Sequence, residues 1–137
     1  MKKKRLAKKE KLISKWSIEK PLYIDENDKR YKRHLKELKE TGFSDTETWS
    51  LYSCISEFIL PRLKRFKEIN AGYPSNLTEI KWNKILDKMI FSFEWTLEQD
   101  EMSEEYMSLS DKKKEINWKR YNEGMKLFAE YFRDLWW

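Results

Sequence analysis

The sequence predicts an all-α fold, a bundle of three main helices with one or two minor ones. Three observations carry this. Apolar residues recur at helical spacing in three long stretches, helix-start and helix-stop signals bracket those stretches, and no run alternates with period two. A chain of 137 residues fits one domain, and its 39% hydrophobic content suffices for one modest core. Seven each of Trp, Tyr and Phe supply large buried areas to a chain that is 39% charged.

Residues 1–40 read as a basic tail followed by a weak helix. The segment "PLYIDENDKRYKRHLKELKETG" allows a short extended piece at Leu22 to Ile24 and a helix from about Asp28 to Glu40, ended by Gly42. That helix has few apolar residues to bury, so the folded body is expected to start near Thr41 and to occupy residues 41–137.

The first main helix follows "GFSDTETWS". Ser44 and Glu47 have capping-box spacing, Asp45 complements the positive end of the helix dipole, and Phe43 can staple against Thr48 or its neighbours. At 100° per residue, Leu51, Ile55, Phe58, Ile59, Phe66 and Ile69 share one arc, which is expected to face the core. Gly72 and Pro74 break the chain, and Thr78 can cap the second helix. Its stripe is Trp82, Ile85, Leu86, Met89, Ile90, Phe93 and Leu97, with Phe91 and Trp95 on the other side, so neighbours are expected on both. The acidic "EQDEMSEEYMSLSD" connects onward and is expected to be partly helical through Met102, Tyr106, Met107 and Leu109. Ser110 or Asp111 starts the third helix. There Trp118, Tyr121, Met125, Phe128, Phe132 and Leu135 form a seam, and Gly124 marks a close approach.

Charge is segregated along the chain. Residues 1–20 carry nine Lys or Arg against two Glu, residues 21–40 six against five acids, and residues 41–137 fourteen against seventeen, giving the net +5. The basic segment 1–20 reads either as a nucleic-acid arm acting through counterion release or as a solvated N-terminus. Its charges interrupt any apolar core of a signal peptide, and no run approaches the roughly 18–20 apolar residues of a membrane span. A cytosolic location without membrane contact is expected. Cys54 and His34 are the only residues of their types. They support no disulfide within the chain, no zinc site and no Cys/His catalysis. Cys54 reads as a small buried hydrophobe and His34, among lysines, as a surface residue. Three glycines cannot build a phosphate-cradling loop, and no Walker A, GxGxxG, HExxH or GxSxG pattern occurs. No catalytic residue, metal ligand or cofactor is assigned.

The stretch "FILPRLKRFKE" puts a proline and four cations inside an amphipathic helix. Pro61 removes a backbone hydrogen bond and is expected to kink the helix. On an unbroken wheel Arg62 lies within the apolar arc, and Arg65 lies at its edge. Three readings stand. The kink rotates the downstream half, so that Arg62 moves to the surface or pairs with a carboxylate such as Glu94, Asp134 or Glu57; or Arg62, Arg65 and Arg133 converge on an anion beside aromatic faces; or Arg62, Lys64, Arg65 and Lys67 form a docking face for an acidic protein or nucleic acid.

With "GFSDTETWS", "FILPRLKRFKE", "WNKILDKMIFSFE" and "EGMKLFAEYFRDLWW" in this order, residues 41–137 resemble a family of small uncharacterised proteins of tailed bacteriophages. The resemblance implies a phage origin, and with it a place in the host cytoplasm, but no function; most such phage proteins of known role act as virion parts, regulators of host processes or antagonists of bacterial defence. One expected function is a non-enzymatic sponge for an anionic nucleotide signal of a defence system. In it Trp49, Trp82 or Trp136 stacks on the base, and Arg62, Arg65 and Arg133 hold phosphates. A second is a protein-interaction module, an inhibitor of a host protein or a virion component, anchored by the Trp-rich C-terminus. A third is nucleic-acid binding through residues 1–20.

Overall fold

The computed structural model describes residues 19–99 and 102–136, so most of the basic segment 1–20 lies outside the described residues. All regular structure among the described residues is helical, in the all-α class expected. It comprises α1 (Tyr31–Thr41), α2 (Leu51–Ile69), α3 (Glu79–Glu98), the short α4 (Glu104–Met107) and α5 (Asp111–Glu130). Two 3₁₀ turns, Asp45–Thr48 and Phe132–Asp134, precede α2 and follow α5. The chain divides into two compact units, Met1–Pro61 and Arg62–Trp137, and α2 runs through the boundary without interruption at Pro61.

In the first unit, α1 is part of the folded body. His34 and Leu38 are buried, so packing begins earlier than Thr41. His34 is fully buried, contrary to the surface position expected from its lysine-rich surroundings. Its Nδ1 bonds Glu37 Oε2 at 3.0 Å, and its ring meets Trp49 edge-on at 5.5 Å. The same Glu37 oxygen accepts the Asp45 N–H at 2.9 Å, tying α1 to the 3₁₀ turn. The Asp45 N–H, and next the His34 ring, hold the Glu37 carboxyl below its usual range. A depressed folded-state value stabilises the fold above pH 4.5 and is lost as pH falls through it. Glu37→Gln is therefore expected to flatten the acid limb of an unfolding-versus-pH curve below pH 4.5, with stability at neutral pH lowered throughout.

Gly42 ends α1 at φ 84°, and its N–H donates to the Leu38 carbonyl at 2.9 Å. No atom lies within 4 Å of a Cβ placed there, so only the backbone conformation opposes a side chain. Gly42→Ala is expected to cost about 1 kcal/mol, read as a shift in urea midpoint. The expected capping box forms, with the Ser44 N–H donating to Glu47 Oε2 at 2.9 Å, but it opens the 3₁₀ turn rather than α2 itself.

The orientation of α2 corrects the expectation from its wheel. Leu51, Ile55, Phe58 and Ile69 are exposed, and the buried positions are Cys54, Ser56, Glu57, Leu60 and Leu63. The polar members of that inward face are satisfied locally. The Ser56 hydroxyl donates to the Tyr52 carbonyl at 2.7 Å, and the Glu57 carboxylate accepts the Tyr23 hydroxyl at 2.7 Å. Tyr23 sits at φ 64°, a left-handed conformation that costs a side chain on the order of 1 kcal/mol. Burial, then the bond to Glu57, push its phenol well up, so it remains a donor.

In the second unit, α3 and α5 run antiparallel. Trp82 near the start of α3 meets Tyr131 just past α5, and Trp95 near the end of α3 meets Trp118 and Tyr121. Thr78 and Ser110 cap the two helices as expected, accepting the N–H of Lys81 and Lys113. The helices approach closely at Ser92 and Gly124, both buried. The Ser92 hydroxyl donates across to the Tyr121 carbonyl at 2.8 Å. Trp82, Leu86, Met89 and Phe93 form the buried face of α3, and Phe93 on that face as well as Phe91 and Trp95 on the other side meet residues of α5.

Candidate functional site

The C-terminal turn combines a fixed backbone with exposed aromatic surface. The Tyr131 N–H closes α5 on the Leu127 carbonyl at 2.9 Å, the Asp134 N–H returns to Tyr131 at 3.0 Å, and the Trp136 N–H to Asp134 at 3.0 Å. Its root is held by rings: Phe132 meets Phe128 at 5.3 Å, Phe128 meets the buried Phe93 at 5.0 Å, and Tyr131 meets Trp82 at 5.7 Å. From this base Phe132 stands 58% exposed and Trp136 74%, with Arg133 exposed between them in sequence. Two large apolar groups and a guanidinium on a preordered turn can enter an apolar pocket at small entropic cost and pair with a carboxylate on its rim.

The residues expected to hold an anion are placed differently from one another. Trp82 is 1% exposed with its ring against Tyr131, so it offers no face to a base and belongs to the core. Trp49 lies in the first unit, half-exposed, with the Arg30 guanidinium 5.4 Å from its ring. Arg62 is exposed, because the apolar arc that contains it faces outward. That surface position departs from the unbroken wheel and agrees with the reading in which Arg62 moves to the surface. Arg65 bonds Glu68 at 3.0 Å on its own helix. Arg133 and Trp136 share the C-terminal turn.

The remaining cations of "FILPRLKRFKE" have partners on α3. Lys64 pairs with Glu94 and Lys67 with Asp87, each at 2.5 Å. Together they set the second part of α2 antiparallel to α3. Such exposed pairs contribute at most about 1 kcal/mol each, so their effect is on register more than stability. Glu94 accepts Lys64, Glu57 accepts the Tyr23 hydroxyl, and Arg62 is itself not without a partner.

Sequence reasoning assigned Phe132 to the buried seam and missed its exposure. The available signal was its place two residues beyond the last α-helical residue, Glu130, where the seam leaves helical register. Cys54 is buried as expected. Burial, then the Glu47 carboxylate, raise its thiol above the ordinary value, which disfavours the nucleophilic thiolate. No helix among the described residues is long and apolar enough to cross a membrane. No family model, curated protein or solved structure matches the chain.

Proposed function

We propose that this protein is a non-enzymatic interaction module that grips another protein, of the host or of the virion, with its C-terminal aromatic turn. The observation that supports this reading is the exposure of Phe132 and Trp136 on a turn whose root is packed into the core of the second unit. Interfaces draw most of their affinity from a few Trp, Tyr and Arg side chains, and this turn offers Trp136 and Arg133. The partner chemistry that suits them is an apolar pocket with a carboxylate at its rim. A phage setting rests on the resemblance of residues 41–137 to tailed-phage proteins.

The test compares the full chain with its Trp136→Ala and Arg133→Glu variants. A protein captured from infected cells by the wild type is purified and titrated against all three. Trp136→Ala is expected to weaken binding by about thirtyfold or more, the effect of losing a hot-spot anchor, without changing the helical circular dichroism. Equal affinity for all three would reject the turn as the anchor. A bound nucleotide that survives Trp136→Ala and is lost in Arg62→Ala would replace this reading with ligand sequestration.

A further inference from the structure

Residues 20–30 form a strap without helix in the first unit, ahead of α1. Its downstream half is stiffened by its own side chains. The Asp25 carboxylate accepts the Asn27 N–H at 2.7 Å, the Asp28 N–H donates to the Asp25 carbonyl at 3.0 Å, and both Asp28 oxygens hold the Arg30 guanidinium, at 3.1 and 2.9 Å. This half runs on into α1, where the Tyr31 N–H donates to the Asp28 carbonyl at 2.9 Å.

The upstream half is held differently. Of residues 20–30, Pro21 alone is buried, with Leu22 and Ile24 half-buried beside it. Tyr23 is 39% exposed at φ 64°, and its hydroxyl donates to Glu57 on the inner face of α2 at 2.7 Å and stands beside the Cys54 thiol. Cys54 and Glu57 are only 4 and 5% exposed. Two opposing effects therefore meet at Tyr23. The left-handed backbone is unfavourable for a residue with a bulky side chain, and that strain is relieved once the strap lifts. A hydrogen bond to a carboxylate and the burial of Pro21 hold it down. Little apolar area is lost on lifting, and segments of that kind open locally, ahead of global unfolding.

We infer that residues 20–24 are a strap latched by Tyr23, which lifts from α2 while the rest of the first unit stays folded and so switches the inner face of that helix between a sealed and an open state. In the sealed state Glu57 accepts the phenol and Cys54 is shielded. In the open state Tyr23 returns to an ordinary backbone conformation, and the Glu57 carboxylate and the Cys54 thiol meet solvent. The hinge falls between Ile24 and Asp25, where the lightly packed half joins the half locked to α1. The device controls access to α2 from within the first unit. It uses no residue of the C-terminal turn, so it stands or falls apart from the proposed anchor.

The test uses the Cys54 thiol as a reporter. The full chain is treated with an aromatic disulfide reagent at urea concentrations below the unfolding transition, and the labelling rate is followed. The wild-type rate is expected to be nearly flat in urea, because lifting the strap exposes little surface. Leu60 is buried further along the same helix. A Leu60→Cys reporter in a Cys54→Ala chain is expected to label at least about tenfold more slowly, with the steep urea dependence of global unfolding. Tyr23→Phe keeps the ring and removes the latch. It is expected to speed Cys54 labelling about ten- to a hundredfold with unchanged circular dichroism, the effect of losing a hydrogen bond to a charged group. Pro21→Gly loosens the strap without touching the latch, is expected to speed labelling several times, and serves if the phenylalanine variant misfolds. A Cys54 that labels only through global unfolding, in step with the Leu60→Cys reporter, overturns the inference. So does a folded Tyr23→Phe or Pro21→Gly chain that labels at the wild-type rate, because the strap would then not be the cover. Wild-type labelling as fast as that of the urea-unfolded chain would show that no sealed state exists.

Discussion

Gly124→Ala is expected to lower stability by about 2 kcal/mol or more, although alanine is the better helix former. A methyl group at this position would overlap the Ser92 hydroxyl and the Lys88 carbonyl oxygen of α3. A hydroxyl can rotate away, but a helix backbone cannot. The two helices must therefore separate along their contact, and overpacking of this kind costs roughly 3 kcal/mol at the upper end of its usual range. The gain in helix propensity returns only about 1 kcal/mol. At about 4 °C per kcal/mol, thermal unfolding should fall by roughly 8 °C. Two companions locate the strain. Ser92→Ala loses the bond to the Tyr121 carbonyl and is expected to cost about 1 kcal/mol. Ser92→Gly combined with Gly124→Ala removes one overlap and leaves the other, so only partial recovery is expected. A single Gly124→Ala variant more stable than the wild type would show that α3 and α5 do not approach this closely.

That crossing was legible from the sequence, and the orientation of α2 was not. Gly124 interrupts an otherwise regular seam, and a glycine in mid-helix already signals a close neighbour. Thr78 and Ser110 announced their helices because a capping side chain acts within three residues of itself. Periodicity in α2 showed that one face is apolar, and the inference that this face turns inward assumed that burial follows hydrophobicity. Ser56 and Glu57 break that assumption. Their burial is made tolerable by hydrogen bonds, and the donor for Glu57 is Tyr23, 34 residues away in sequence. No local pattern encodes such a bond. Arg62 follows the helix: once the arc points outward, so does the guanidinium, and its neighbours Lys64 and Lys67 reach carboxylates on α3 that only the folded chain brings near.

The candidate site was legible in part. Arg133 and Trp136 were identifiable from residue type, because Trp and Arg dominate interface hot spots. Phe132 was hidden because the apolar spacing of α5 continues through it in sequence. The backbone instead tightens into a 3₁₀ turn after Glu130, which rotates the ring out of the seam while its edge still touches Phe128.

Trp82 separates the core reading of the aromatics from the ligand reading, because both were available from its sequence position. Its ring is sealed, meets Tyr131 at 5.7 Å, and shares the buried face of α3 with Leu86, Met89 and Phe93. Trp82→Ala is expected to cost about 3–5 kcal/mol, the range for deleting a large buried aromatic, and so to consume much of the stability of a domain this size. Trp82→Phe should be far milder. It gives up part of the ring's buried area, but it also removes an indole N–H that finds no acceptor among the described residues. A buried donor left in that state costs about 1–3 kcal/mol, which offsets the lost contact and leaves a net change of about 1 kcal/mol. Urea unfolding of the three chains measures the contrast. A phenylalanine variant as damaged as the alanine one would show that the indole nitrogen is bonded after all. A phenylalanine variant of full stability that has lost affinity for a nucleotide would show that the ring leaves the core to stack on a base, and would return Trp82 to a binding site.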